Sequence, residues 1–231
     1  MKADIGIIGA MQPEVDKLIS MLDTPSVHRV CGIDFYFGEL CEKKVAVAKC
    51  GVGKVFASIC ATAMIITFSP SLIVNTGVGG AIKPGIKPTD IVIAGSLVQH
   101  DMDTSPLGDP KGLISGINKV FFGADNRAVM ILSHSAEELG YDHRIGVVAT
   151  GDRFVASRED KERIRVDFDA DACEMEGAAI AHAAYVAKVP FAVIRAISDS
   201  ADDSSSMDYM KFLPIAAERS ANLALKLIEQ Y

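Results

Sequence analysis

A chain of 231 residues, 49% hydrophobic and 23% charged, has ordinary globular composition and enough length for one large α/β domain or two small ones. A formal net charge of −7 argues against a nucleic-acid or anionic-membrane partner. No apolar run reaches membrane-spanning length, and the N-terminal MKADIGIIGAM lacks the apolar core of a secretory leader. The cysteines (Cys31, Cys41, Cys50, Cys60 and Cys173) form no C-x-x-C pair, which predicts reduced, mostly buried thiols in a cytoplasmic protein. The histidines show no metal-ligand spacing with cysteine or carboxylate, so no metal site is expected.

No tandem repeat, low-complexity tract or linker interrupts the chain, and a single domain spanning 1–231 is expected. DIGIIGA (4–10) predicts a first strand, and PEVDKLISMLD (13–23) a helix with proline in its first turn. IDFYFGEL and KKVAVAKC predict a hairpin turning at EKK. KVFASICATAMIITF (54–68) fits a buried helix. SLIVNTG, DIVIAGSLV, IGVVATG, ACEME and FAVIRAIS are apolar without strict alternation, as strands covered on both faces are. FLPIAAERSANLALKLIEQY has helical apolar spacing and closes the domain. The pattern predicts an α/β fold in three αβα layers, with a mixed twisted sheet packed between helices.

Ligands of such sheets sit beyond the carboxyl ends of the strands. At the ends of the predicted strands stand Met11 to Glu14, Gly51 to Gly53, Gly77 to Gly80, Thr150 to Phe154, Glu174 to Glu176, and Arg195 to Asp199. Glycines that admit a ligand to the backbone, the acids Glu14, Glu174, Glu176 and Asp199, and Arg195 therefore converge on one rim. That is an active-site composition.

Each motif alone leaves alternatives open. GVGK lacks the spacing of a phosphate loop, and neither glycine cluster completes G-x-G-x-x-G, so each is also readable as a tight turn. Glu174 and Glu176, taken as neighbours on one strand, are expected to face opposite sides, with only one toward a cleft; a strand end meeting solvent is the alternative. EMEGAAIAHAAY runs straight into a small-residue helix, which puts the second glutamate at a positive helix end. Arg195 and Asp199, four apart, share a face if their strand stays regular, either in a site or as a structural ion pair. Glu14, one residue inside a helix starting at Pro13, is a dipole partner or a site acid. Met11, Phe154 and Met175 stand beside these charges as core or as pocket wall.

Taken together, IGIIGAMQPEV, KCGVGKVFA, IVNTGVGGA, TGDRFV, CEMEGAAIAH and VIRAISDSAD occur in this order over almost the whole chain. In that combination the sequence closely resembles the bacterial 5′-methylthioadenosine/S-adenosylhomocysteine nucleosidases of the purine nucleoside phosphorylase superfamily. The resemblance implies a nucleoside phosphorylase-like fold, a homodimer, a small nucleoside substrate, and no cofactor or metal. It implies hydrolysis of the N-glycosidic bond, releasing adenine and a 5-thioribose. Asp199 matches the general acid that protonates adenine N7, and Ser198 a residue supporting it. Glu14 matches the carboxylate that polarises the attacking water, Glu176 the acid that grips the ribose hydroxyls, and Arg195 a residue holding the water and Glu176. Phe154 matches the ring stacked on adenine, Val155 the backbone reading the base edge, and Met175 the residue under the ribose. Met11, Val52 and Tyr209 match the lining of the 5′-alkylthio pocket. An acid in the place of Asp199 must hold its proton near neutral pH, so burial and neighbouring acids are expected to raise its pKa.

Related phosphorylases hold phosphate with an arginine and a serine where Asn75 and Val78 stand, which favours water as the nucleophile here. Three departures bear on the 5′ group. Many of the nucleosidases have serine at Val78 and phenylalanine at Tyr209, and HDMDTSPLGDPKGLISG (100–116) matches poorly. In the family that segment crosses to the partner subunit, which gives Pro106 and Leu107 as its covering residues. The competing readings are a nucleosidase for aminofutalosine or another 5′-modified adenosine, a phosphate-dependent phosphorylase, and a catalytically weak adenosine-binding protein.

Overall fold

The computed structural model describes residues 1–199 and, from 205, the closing helix, whose side chains are described from Tyr209 onward. Ser200, Ala201 and Asp202 of the ISDSAD motif lie outside the described residues. One mixed ten-stranded sheet organises the rest. At its centre β1 (Ile5–Gly9) runs parallel to both β4 (Lys43–Lys49) and β5 (Leu72–Ala81). Beyond β4 the sheet continues antiparallel through β3 (Ile33–Leu40) to an edge at β2 (Asp23–Val30).

On its other side β5 has two neighbours. It runs parallel to β10 (Phe191–Asp199) and meets β9 (Ala172–Glu174) antiparallel. From β9 the pairing passes to β8 (His143–Thr150), then β6 (Ile91–Gln99), and from β6 back to β10. Five strands therefore close on themselves, and the rim of that ring holds the ends of β5, β9 and β10. A short β7 (Phe121–Gly123) extends β6.

Helices cover both faces, as the non-alternating strands require. Along β10, Ala192, Ile194 and Ala196 pack into one core while Phe191, Val193 and Ile197 pack into the other. The first core is closed by α1 (Gln12–Ser20), α3 (Asn126–Glu138) and α6 (Ser205–Gln230). The second is closed by α2 (Lys54–Phe68) and α5 (Gly177–Ala187). Fully burying such aliphatic side chains contributes roughly 1.5–3 kcal/mol each. A third, smaller cluster lies beneath α4 (Arg158–Phe168), capped by Ser157, whose hydroxyl accepts from the Asp160 amide at 3.1 Å.

The three-layer α/β arrangement expected from the sequence is present, with local differences. The hairpin turns at Cys41-Glu42, both with positive φ, and Lys43 already belongs to β4. The β2 edge, β7, α3 and α4 were not expected. Cys50, Cys60 and Cys173 are buried but Cys31 and Cys41 are exposed, and all five are free thiols. The 100–116 segment holds a single 3-10 turn, Ser105–Leu107, with the Leu107 side chain 84% exposed. Among the described residues no helix is long and apolar enough to cross a membrane.

Candidate active site

Strand ends, a helix start and two loops enclose a cavity that opens to solvent. Eleven of the twelve residues singled out from the sequence line it. Met11 and Glu14 come from the β1–α1 junction, Val52 from the loop before α2, and Val78 from β5. Phe154 and Val155 come from the loop after β8, and Met175 and Glu176 from the β9–α5 junction. Ser198 and Asp199 end β10, and Tyr209 belongs to α6. The twelfth, Arg195, is 1% exposed and lies behind the wall.

Glu14 is held by three backbone amides. Its Oε2 accepts from Ala10 N at 2.7 Å and Met11 N at 2.8 Å, and its Oε1 accepts from Val78 N at 3.1 Å. Three bonds to a carboxylate with about four acceptor positions leave one open, on Oε1. It caps its helix and lines the cavity at once, so the two sequence readings of Glu14 coexist. Burial pushes its pKa up, against the amides of Met11, Val78 and Ala10 and the Arg195 charge, which pull it down. Gly77 must be glycine here, because a Cβ would stand 2.7 Å from Glu14 Oε1.

The sequence placed Glu174 and Glu176 on opposite strand faces with one turned away, and the structure corrects this. Residues two apart on a strand share a face, and β9 in any case ends at Glu174. Glu176 is the N-cap of α5, and both glutamates are buried against the cavity. Arg195 acts on Glu176 by charge and not through a described hydrogen bond. Its guanidinium bonds Glu174 Oε2, the Asn75 side chain and the Ile194 carbonyl, and no described bond runs from it to Glu176. Glu174 Oε2 also accepts from Glu176 N at 3.0 Å and Gly177 N at 2.7 Å, while Thr150 donates to Oε1. Burial alone would raise Glu174, but Arg195 and Thr150 hold it below the ordinary value.

Glu176 has less support. Its Oε1 accepts from Gly53 N at 2.8 Å. Burial, and then the Glu174 charge, push its pKa up to about 7, which poises it near neutrality. On the far end of β10 a register shift after Ile197 turns Asp199 toward Gly80, where a Cβ would stand 2.8 Å from Asp199 Oδ2. Ser198 Oγ donates to Asp199 Oδ1 at 2.9 Å, and Lys161 Nζ stands 3.5 Å from Oδ2. The structural Arg195–Asp199 pair allowed by the sequence is replaced by Arg195–Glu174 and Lys161–Asp199.

The mouth is aromatic and apolar. Phe154 is half-exposed and meets the Tyr209 ring edge-on at 5.7 Å, and the Tyr209 hydroxyl lies 3.3 Å from Met11 Sδ. Sequence reasoning missed Lys161, Arg153 and Cys173. Arg153 and Cys173 line the cavity, and Lys161 reaches Asp199 from α4. The available signal for Lys161 was its spacing from Ile164 and Phe168, the buried stripe of α4. Among the described residues no three His, Cys, Asp or Glu side chains group as a metal ion would need.

A cavity lined by four buried acids, Glu14, Glu174, Glu176 and Asp199, with an aromatic lip suits cleavage of a bond between a sugar and a flat base. The model of the phosphorylase superfamily matches residues 4–229. The chain is 35% identical over 227 residues to the 5′-methylthioadenosine/S-adenosylhomocysteine nucleosidase of Actinobacillus succinogenes, covering 98% of each. It is 34% identical over 226 residues to the aminodeoxyfutalosine nucleosidase of Campylobacter jejuni, again covering 98% of each. The crystal structure of the Neisseria meningitidis 5′-methylthioadenosine/S-adenosylhomocysteine nucleosidase with methylthio-immucillin-A superposes with a TM-score of 0.95 at 32% identity, covering 98% of this chain and 99% of that one. The chain belongs to the phosphorylase superfamily and, within it, to the family of the 5′-methylthioadenosine/S-adenosylhomocysteine nucleosidases.

Proposed function

We propose that the protein hydrolyses the N-glycosidic bond of 5′-methylthioadenosine and S-adenosylhomocysteine, releasing adenine and the 5-thioribose. The observation that carries this reading is the convergence of Glu14, Glu176 and Asp199, all buried, on one cavity. Asp199 gives a proton to adenine N7 as the bond to C1′ breaks, so the base leaves neutral. Glu14 uses its open acceptor position to orient water, and Glu176 holds the ribose hydroxyls as the sugar gains positive charge. Phe154 stacks on the base, Val155 offers backbone to its edge, Met175 lies under the ribose, and Met11, Val52 and Tyr209 enclose the 5′ group.

Hydrolysis rather than phosphorolysis is supported by where the donors go. The Asn75 amide donates to the Ile8 carbonyl at 2.8 Å while its oxygen takes Arg195, and the Val78 amide serves Glu14. Phosphate would meet the carboxylates of Glu14 and Glu176 with these donors already engaged.

The similarity to an aminodeoxyfutalosine nucleosidase favours a second substrate reading with the same cleavage and a larger 5′ group. Initial rates of adenine release from 5′-methylthioadenosine, S-adenosylhomocysteine and aminodeoxyfutalosine test the two together. The proposal expects the two thio-nucleosides to lead, and preference for aminodeoxyfutalosine would replace it with the second reading.

A homodimer through α2 and α5 is part of the proposal. Val55, Phe56, Ile59, Ile66 and Val186 are exposed there around an apolar groove. Sedimentation should give twice the chain mass, and Ile66→Asp should shift it toward the monomer. A cytoplasmic place in methionine salvage fits the proposed substrate and the free thiols.

A further inference from the structure

Lys161 is 2% exposed on a helix whose other charged residues are exposed or partly exposed. Lysine is almost never fully buried unless something pairs with it. An aliphatic residue at this position would pack with Ile164 and Phe168, so the ammonium needs a reason to be there. Its Nζ lies 3.5 Å from Asp199 Oδ2, a carboxylate that is itself 2% exposed.

The Asp199 carboxyl is fixed from three sides. Ser198 binds Oδ1, Lys161 faces Oδ2, and the bare Cα of Gly80 leaves room for Oδ2 to stand where a side chain would collide. Titratable groups that face Asp199 include Lys161 from α4, Cys173 from β9 and Tyr209 from α6. Burial pushes the Cys173 thiol up to about 12 and raises the Tyr209 phenol as well, so both are neutral at working pH. Lys161 is the charged one of the three.

We infer that Lys161 is a positioning residue for the acid at Asp199, aiming its carboxyl into the cavity and stabilising the carboxylate that remains after proton transfer. This rests on the reading of Asp199 as the general acid. In the step concerned the C1′–N9 electron pair moves onto the purine and the Asp199 proton passes to N7. Water bonds to C1′ and gives its proton to Glu14. Asp199 ends as an anion against the ammonium. An opposite charge within about 4–6 Å lowers a carboxyl pKa by roughly 1–3 units, so Lys161 makes Asp199 a stronger acid.

The test is the pH dependence of kcat for 5′-methylthioadenosine in the full-length wild type, Lys161→Met, Lys161→Gln, Lys161→Arg and Asp199→Asn. Without the ammonium, Asp199 keeps its proton to higher pH. The Met and Gln variants should therefore move the basic limb of the profile up by about one pH unit or more, with kcat at pH 7 about tenfold lower. The Arg variant should leave the limb in place. A lower kcat with an unmoved limb in the Met and Gln variants would make Lys161 merely structural and overturn the inference. The limb position does not depend on the fraction of folded enzyme, and Gln reads the same effect if Met does not fold. Asp199→Asn with wild-type kcat would instead overturn the underlying reading of Asp199, and the inference with it.

Discussion

Arg195 and Glu174 form an ion pair with side chains only 1% and 2% exposed, in which Glu174 lines the cavity and Arg195 stands behind its wall. Glu174 also accepts the first amides of the β9–α5 junction, so the same carboxylate neutralises the arginine and shapes the turn that presents Glu176. Removing one partner of a buried pair leaves the other charged and desolvated, which costs about 3–5 kcal/mol. Glu174→Gln should lower the unfolding free energy by about that amount in urea titrations. A loss below about 1 kcal/mol would mean that Arg195 finds other compensation.

Glu176 gives the opposite pH sign. Its pKa rises from 4.5 to about 7 on folding, first through burial and then through Glu174. A carboxyl raised in the folded state contributes stability that is present below 4.5 and lost as pH climbs through about 7. At 1.36 kcal/mol per unit this amounts to roughly 3 kcal/mol. Wild type should be less stable at pH 8 than at pH 5, and Glu176→Gln should remove most of that difference. An unchanged pH slope in the variant would refute the assignment. If the ionised form grips ribose, kcat/KM should also fall on acidification with a midpoint near pH 7.

Asp199→Asn keeps the size of the side chain but has no proton to give. General acid catalysis is typically worth 10²–10⁴ in rate. Single-turnover adenine release should slow by that factor while substrate Kd changes little. Wild-type turnover would remove Asp199 from the mechanism.

Tyr209 places a hydroxyl 3.3 Å from Met11 Sδ in the wall assigned to the 5′ group. Tyr209→Phe makes that wall fully apolar. One neutral hydrogen bond is worth about 0.5–1.5 kcal/mol, so the kcat/KM ratio of 5′-methylthioadenosine over S-adenosylhomocysteine should rise about three- to tenfold. An unchanged ratio would place the hydroxyl away from the 5′ substituent.

Much of this was legible in the residues because the strands are covered on both faces. LIVNTG and FAVIRAIS read as interior strands for the reason that their odd and even residues pack into different cores. α2 was legible over its full span, 54–68. β2 was not, since DTPSVHRV carries a proline and is mostly exposed at an edge. α4 was hidden by its charge: only Lys161, Ile164 and Phe168 of REDKERIRVDF are buried. The reach of Lys161 to Asp199 joins residues 38 positions apart and leaves no local pattern. The Glu174 and Glu176 assignment failed because residues two apart on a strand share a face, and because β9 stops at Glu174, so that Glu176 caps α5 instead of extending the strand.

The central claim is hydrolysis, and the most direct measurement is product analysis by chromatography after incubation with 5′-methylthioadenosine, with and without phosphate. The account predicts adenine and free methylthioribose at equal rates in both. Adenine release that needs phosphate and yields a sugar 1-phosphate would contradict it, and would mean that the Asn75–Val78 strand end binds an anion after all.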